Sequence, residues 1–584
     1  MGQEPSSLFL YGDSSIAART IRQAIYDGPL EMVNYQWSPV ILEKIPTLSN
    51  GDVLFEPVVV QAGNLIVDGN GNLVKYNEGI SYLPIGCHDA SCAMIYNSQD
   101  PVNVEQMVVR FQLRTGIPWS DGKPLMADDS QYSFEVAKDL YPRTSPNLIT
   151  LTQSYKALDE TTVEWRGVPG FRTSDYAEHF FTPLPRHVWG NIPPEDLLVS
   201  EVSTRSPMGW GPYIIQEWTT GDHITLSRNP NYFRNLEGLP SFEKLVFRFV
   251  PDGEEALAAL LAGECDYLDD TTRIDTQITQ LLELQESDRI KVIINTGTAW
   301  EQIAFGIVSL NSTLPALFQT KEMRQAVALC IDRQRMVEEL FGGKSQLAES
   351  YVPAGNPLFN KDVKRYNFDP QAGMKLLDVI GWLDSDNDPK TPRLSQGVPG
   401  LSDNTPLEFN FLTTTEEEKQ LVAQVVQESL AQCGFKANIM SISPSELFAP
   451  GPDGPLFGRN FSMAQVGWVA TNKPPCYLYT TQEIPGPYPE YSRGWGGANA
   501  SGYSNPEFDL ACQRALNTLP EDSEHLAAHF QAQTVFSEDL PAIPLYLHSK
   551  VIAMRPDMCS TVLDSAEAVG LWDLETFDYG EGCN

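Results

Sequence analysis

An α/β fold spread over several domains is what the sequence predicts, on three observations. The chain has 584 residues, which at about 150 residues per domain points to two to four domains. Met107, Val109, Phe111 and Leu113 alternate with Val108, Arg110, Gln112 and Arg114, the period-two pattern of a half-buried strand. Met323, Ala326, Val327, Cys330, Ile331, Val337 and Leu340 recur near 3.6-residue spacing. That predicts a helix over about 321–341, ended by Gly342-Gly343.

The remaining elements follow in order. Gly69-Asn70-Gly71-Asn72 reads as a turn between two apolar stretches. After the strand at 107–114, Asp121-Gly122 turns the chain. Asp128 and Asp129 then favour a helix start, with Tyr132, Val136 and Leu140 following at spacing four. Ile224–Leu226 is a short strand stopped by Asn229-Pro230, and Leu245, Phe247 and Phe249 continue the strand pattern up to Pro251-Asp252-Gly253. Helices are expected over Glu254–Leu261, closed by Gly263, and over Leu421–Leu430, ended near Gly434. The Pro/Gly-rich stretches 384–406 and 450–458 read as surface loops. Residues 474–502 have little periodicity and many aromatics, which marks a long, ordered, functional loop.

Composition excludes several classes. Hydrophobic residues make up 42% and aromatics 10%, enough to build sizeable cores and to exclude wholesale disorder. With 40 Lys+Arg against 76 Asp+Glu the formal charge is -36, which repels phosphate backbones and argues against a nucleic-acid partner. The longest apolar runs, near Ala256–Leu261 and Ala326–Ile331, are far too short to cross a bilayer, so a soluble mature chain is expected. The first residues carry no basic patch and no apolar core of a signal peptide. Gly2 and Ser6 fit a myristoylation pattern; the plainer reading is a chain whose native leader has been cut away. Nine cysteines are too few for a disulfide scaffold, and an odd count leaves at least one free thiol. Cys87 with Cys92, and Cys559 with Cys583, are candidate pairs in an oxidising compartment, against the alternative of reduced buried thiols.

Catalytic motifs do not emerge. HExxH, GxSxG and a complete GxGxxG are absent, and no cofactor is expected. Gly342-Gly343-Lys344-Ser345 is similar to the end of a P-loop, but position 338, where the first glycine belongs, is Glu338. His525 and His529 share a helix face without a third ligand, so no metal is assigned. Asp384, Asp386 and Asp388 match the first calcium-loop positions, yet Pro389 and Ser395 stand where glycine and glutamate belong. A carbohydrate-active enzyme needs two carboxylates at a set separation, and with 76 acidic residues any chain supplies a pair, so the signal has no specificity.

Segments in order along nearly the whole chain resemble one family, the extracellular solute-binding proteins of the oligopeptide/dipeptide/nickel class that feed ATP-driven importers. Phe111 to Leu125, reading FQLRTGIPWSDGKPL, is similar to its signature, followed by Ala127-Asp128-Asp129. Gly209-Trp210-Gly211-Pro212-Tyr213 resembles its GTGPY strand, continued by Glu217-Trp218 and Leu226 to Phe233. Arg324-Gln325-Ala326 through Ile331-Asp332-Arg333, then Gly502 to Asp509, and Ile543-Pro544-Leu545-Tyr546, complete the series. The resemblance implies a two-lobed periplasmic-binding-protein-like (type II) α/β fold with an extra inserted domain. The first lobe is expected at 1–55, 200–285 and 531–584, the inserted domain at 56–199, and the second lobe at 286–530. It implies a monomer without enzymatic activity, outside the cytoplasm and lipid-anchored in its precursor. Such a protein captures a solute by hinge closure and delivers it to a membrane permease.

The ligand is less determined. Peptide-binding members carry Gly-Trp-x-x-Asp, whose carboxylate pairs with the peptide ammonium; here the segment is Gly467-Trp468-Val469-Ala470-Thr471. A neutral hydroxyl thus replaces a charge-assisted partner, which weakens the capture of a free peptide N-terminus. The ligand-facing candidates are Trp468, Thr471, Tyr488, Tyr491, Trp495 and Trp300, together with Tyr26 and Asp27 of a segment similar to the family's Y-[DE]-G. Flat aromatic faces suit peptide planes or sugar rings, so an oligopeptide-like solute is the main reading and an oligosaccharide or other solute the alternative. With seven histidines and none in the aromatic segment, nickel is disfavoured.

Overall fold

The computed structural model describes residues 1–583 apart from 98–99, 143–145, 387, 389–390 and 471–472, and backbone alone at 146 and 581–582. The chain forms two compact units: residues 1–295 with 517–521 and 550–584, and residues 296–516 with 522–549.

The first unit contains helix α1 (Ile16–Ile25), which begins where the Ser15 side chain accepts from the Ala18 N–H. Its larger sheet is antiparallel and built from β1 (Val53–Val60), β2 (Val102–Gln112), β3 (Thr152–Ala157) and β4 (Thr162–Gly167), in the order β1-β2-β4-β3. The alternation at 107–112 does form a strand, but Val108 is buried along with Met107, Val109 and Phe111, so β2 is covered on both faces at its centre. Helix α2 (Ala127–Asp139) starts at the expected acidic pair. The Asp129 carboxylate accepts from the Met126 N–H and from Trp119 Nε1, both at 3.0 Å, which ties the helix start to the preceding turn. A second antiparallel sheet holds β5 (Tyr213–Thr219), β6 (His223–Arg228) and β7 (Lys244–Arg248), followed by helix α3 (Gly253–Leu261).

Gly209 and Gly211 show why the segment before β5 needs small residues. A Cβ at Gly209 would lie 2.0 Å from the Ile25 carbonyl oxygen, and one at Gly211 would lie 2.5 Å from the Ile25 carbonyl carbon. The close approach lets the Gly211 N–H donate to Ile25 O at 2.7 Å. Trp210, between them, is buried against Trp119 and Tyr26 at centroid distances of 5.4 and 5.2 Å. Three separated sequence motifs thus converge on one aromatic core.

The second unit is built on a mixed sheet of β8 (Lys291–Phe305), β9 (Glu408–Thr414), β10 (Lys436–Ile442), β11 (Met463–Val469) and β12 (Ala542–Met554), ordered β12-β8-β11-β9-β10. Helices α4 (Lys321–Leu329) and α5 (Arg333–Phe341) precede β9 in the chain, and β9 and β10 are parallel and joined through helix α6 (Glu417–Ala431). Beyond α6, helix α7 (His525–Asp539) buries Ala532, Val535 and Phe536 in the same core.

Three expectations are corrected. The single helix over 321–341 is two, because Asp332 leaves the helix and its side chain accepts from the Arg335 N–H as a new N-cap, while Cys330 turns into a disulfide. The boundary expected at 530/531 falls at 549/550, since α7 and the first half of β12 are buried in the second unit's core, and the one at 285/286 falls at 295/296. Residues 56–199 share a hydrophobic core with 1–55 and 200–285, and β1 runs across the expected 55/56 boundary.

The structure pairs Cys87 with Cys92 and Cys559 with Cys583. It adds two bonds that spacing did not reveal, Cys330–Cys433 and Cys476–Cys512, and among the described residues Cys265 keeps a free thiol.

Candidate functional site

In the second unit, Trp300 on β8 stands directly opposite Trp468 on β11. Trp300 is fully buried, its Nε1 donating to Gln302 Oε1 at 3.1 Å, so in this structure it supports the sheet and presents no face to a ligand. Trp468 is only partly buried. It borders a small cavity of about 30 Å³, room for roughly one water, with Gln302, Val466 and Tyr479. Tyr479 also donates to Gln302 Oε1, at 2.6 Å, so one amide oxygen anchors both rings beside Trp468. Thr471 lies outside the described residues.

The aromatic segment 474–502 is irregular but tightly held. Short 3-10 turns occupy Cys476–Tyr479, Thr481–Glu483 and Gly494–Gly496. The Cys476–Cys512 disulfide pins its start. Buried Arg459 donates to Val308 O at 2.7 Å and to Pro485 O at 3.2 Å, and its guanidinium lies 5.2 Å from the Tyr491 ring centroid. Tyr491 also packs so closely on Gly486 that a Cβ there would meet its ring at 2.2 Å, and Trp495 covers Gly451 in the same way at 2.3 Å. Tyr491 and Trp495 therefore order the segment itself, whereas Tyr488 is 78% exposed.

The opposite face of β8 carries a charged group that no motif announced. Glu301 is fully buried and pairs with Lys419, near the start of α6. His548 Nε2 lies 3.3 Å from Glu301 Oε2, while Tyr546 donates to Glu418 at 3.0 Å. Burial pushes the Glu301 carboxyl up, but Lys419 and His548 outweigh it and hold the group below its ordinary value. Glu301 faces Gly467 in the register, and a Cβ at Gly467 would sit 3.1 Å from Glu301 Oε2 and 3.5 Å from Lys419 Nζ. That crowding explains the glycine before Trp468.

Tyr26 and Asp27 belong to the first unit, and both are buried. Asp27 Oδ2 accepts from the Tyr232 hydroxyl at 2.5 Å, and Asp27 O accepts from Trp210 Nε1 at 2.7 Å. Nearby, Arg234 donates to Glu575 Oε1 at 2.5 Å. Burial, with neighbouring carboxylates, pushes Glu31 up to about 9 and Glu575 to about 7; burial pushes Asp573 to about 7. A carboxyl raised on folding binds its proton more tightly in the native state, so stability falls as pH rises from about 4, through about 7 for Asp573 and Glu575 and on to about 9 for Glu31. The first unit is therefore expected to melt at higher temperature at pH 5 than at pH 8, and Asp573→Asn to flatten that difference. Calorimetric scans across this range check it; a transition that drops on acidification to pH 5 contradicts the assignment.

Among the described residues no group of three His, Cys, Asp or Glu is arranged to hold a metal ion. His525 and His529 pack edge to face at 4.7 Å, and burial holds His529 down at about 3. No helix among the described residues is long and apolar enough to cross a membrane.

Residues 99–488 match the family of bacterial extracellular solute-binding proteins, family 5 (middle region). The oligopeptide-binding protein AppA of Bacillus subtilis is 24% identical over 458 residues, covering 76% of each chain. The peptide transport periplasmic protein SapA of Salmonella typhimurium is 24% identical over 413 residues, covering 70% of this chain and 67% of its own. Among solved structures, AppA of Bacillus subtilis in complex with a nonapeptide superposes with a TM-score of 0.62 at 19% identity, covering 100% of this chain and 98% of its own. The substrate-binding protein CtaP of Listeria monocytogenes superposes with a TM-score of 0.70 at 18% identity, with the same coverage. The fold is thus that of the two-lobed α/β binding proteins, and the chain belongs to the bacterial extracellular solute-binding proteins of family 5.

Proposed function

We propose that the protein is the extracytoplasmic solute-binding component of an ATP-driven importer, that it captures an oligopeptide-like solute, and that a membrane permease receives it. It acts without covalent chemistry, as a monomer, from a precursor anchored by lipid. The observation that carries this reading is the match to family 5 over residues 99–488. The names of two relatives that each cover about 70% or more of the chain, an oligopeptide-binding and a peptide-transport protein, support the solute class. The partly buried Trp468, held beside Gln302 and Tyr479, supplies a flat face for a peptide plane. Native mass spectrometry of the protein incubated with a tryptic peptide digest and, separately, with a maltodextrin ladder tests the reading. One-to-one peptide adducts are expected; adducts with saccharides alone overturn it.

Trp468 and Thr471 then set the mode of capture. Trp468→Ala is expected to weaken peptide binding by about 1–3 kcal/mol through lost apolar contact. Thr471→Asp is expected to leave the affinity for N-acetylated peptides no better than the parent's, because an acetylated peptide offers no ammonium for the new carboxylate to pair with. Calorimetry on matched free-amine and acetylated peptides decides both. Parent-like binding by Trp468→Ala places the solute elsewhere.

A further inference from the structure

The first unit holds a cavity of about 370 Å³ away from the aromatic core around Trp210, within the size range that takes drug-sized molecules. Val58 and Val60 at the end of β1, Leu65 just beyond it, and Val168 and Pro169 after β4 form its apolar wall. Val59 and Leu65 are 66% and 45% exposed, large apolar groups left facing water. None of the residues around the cavity carries a charge, in a chain where 20% do.

Its polar edge has a defined sense. Asn64 Oδ1 already accepts from the Gln61 N–H at 2.9 Å, and Gln153 Oε1 accepts from Gln106 Nε2. The Thr152 hydroxyl is used in both directions, donating to Leu148 O at 2.6 Å and accepting from Trp165 Nε1 at 2.8 Å. Each of these amide oxygens is thus already engaged once, whereas no bond from either amide NH2 is made to a described residue, so the free donors of the edge are the Asn64 and Gln153 NH2 groups. An ion entering here would meet no counter-charge, and a ligand carbonyl would meet the two unengaged NH2 donors.

We propose that this cavity is a second binding site, distinct from any peptide site. It takes one uncharged molecule with an apolar body and a carbonyl-type acceptor. The apolar wall receives the body, and the Asn64 and Gln153 amides receive the acceptor.

Prodan, a neutral naphthalene bearing a propionyl ketone, has this chemistry, and its emission shifts to the blue when its ring is buried and reports on hydrogen bonding at its carbonyl. Titrated against the whole protein it is expected to bind one-to-one with a blue shift. Val59→Asp, at the exposed rim, and Gln153→Glu, which keeps the bond from Gln106 and removes the donor, are each expected to weaken it tenfold or more. Val246→Asp, at an exposed valine of β7, is expected to bind Prodan as the parent does, and all three variants are expected to keep the parent's circular dichroism. A tryptic peptide digest in excess is expected to leave Prodan bound. The proposal is overturned by the absence of saturable Prodan binding to the parent, by parent-like binding in Val59→Asp or Gln153→Glu, by loss of binding in Val246→Asp, or by displacement with peptides. Whether peptides bind at all is read separately, from the native mass spectra of the peptide digest.

Discussion

Lys419→Met is expected to cost about 3 kcal/mol of stability at neutral pH. Breaking a buried ion pair by removing one partner leaves an uncompensated charge, and such losses run to about 3–5 kcal/mol. Glu301 has no exposed surface on which to recover hydration, and its Oε1 already lacks a hydrogen-bond partner. His548 remains at 3.3 Å, which places the expected loss at the low end. The pH dependence has a definite sign. In the parent, the Glu301 carboxyl is held below its ordinary value, so its contribution is present above about 4.5 and is lost in acid. Without Lys419, burial dominates and raises the carboxyl, so the variant gains on acidification where the parent loses. The difference between the two proteins should thus be largest near pH 8 and shrink toward pH 4. The double variant Glu301→Gln/Lys419→Met removes the orphaned charge and should recover most of the loss. Urea titrations at three pH values check the series. An equal penalty at every pH would show that Lys419 matters through packing and not through charge.

Cys330→Ala/Cys433→Ala is expected to lower stability by about 4 kcal/mol. The bond spans 103 residues, and cross-linking a loop of that length removes about 4–5 kcal/mol of chain entropy from the unfolded state. Both sulfurs are buried beneath helix residue Gly373, where a Cβ would lie 2.4 Å from Cys330 Sγ. Cys87→Ala/Cys92→Ala opens a separation of only 5 residues and should cost about half as much, about 2 kcal/mol. Thermal scans of the two double variants, read by transition, separate these cases. Equal losses would show that loop length does not govern the effect here.

Sequence reasoning reached the local structure where one short-range force dominates. The alternation at 107–112, the acidic start at Asp128 and Asp129, and the helix over Gly253–Leu261 each follow from neighbours a few residues apart. The motif series also located Trp119, Trp210 and Tyr26 without showing that they touch. What stayed hidden depends on partners remote in sequence. Cys330 and Cys433 are bonded across 103 residues, and the same region breaks the helix predicted through 321–341. Trp468 stood out as a ligand-facing candidate by its motif and Trp300 only by its position; the fold buries Trp300, bonded to the Gln302 amide, and leaves Trp468 partly open. Glu301 had no signature at all among 76 acidic residues, because its significance lies in its burial and in Lys419 and His548, which only the fold brings to it.

The boundaries of the two units carry a consequence for how the protein is made. Residues 296–516 and 522–549 of the second unit leave the ribosome before residues 550–584, which the first unit needs for its closing strand and for Ile552, Met554 and Leu574 in its core. Domains tend to fold as their chain emerges. Here the order of synthesis is inverted relative to the order of completion: the half that begins first finishes last. Released chains truncated near residue 549 should therefore contain a protease-resistant second unit beside a digestible first one, because residues 550–584 are what complete the first unit's core.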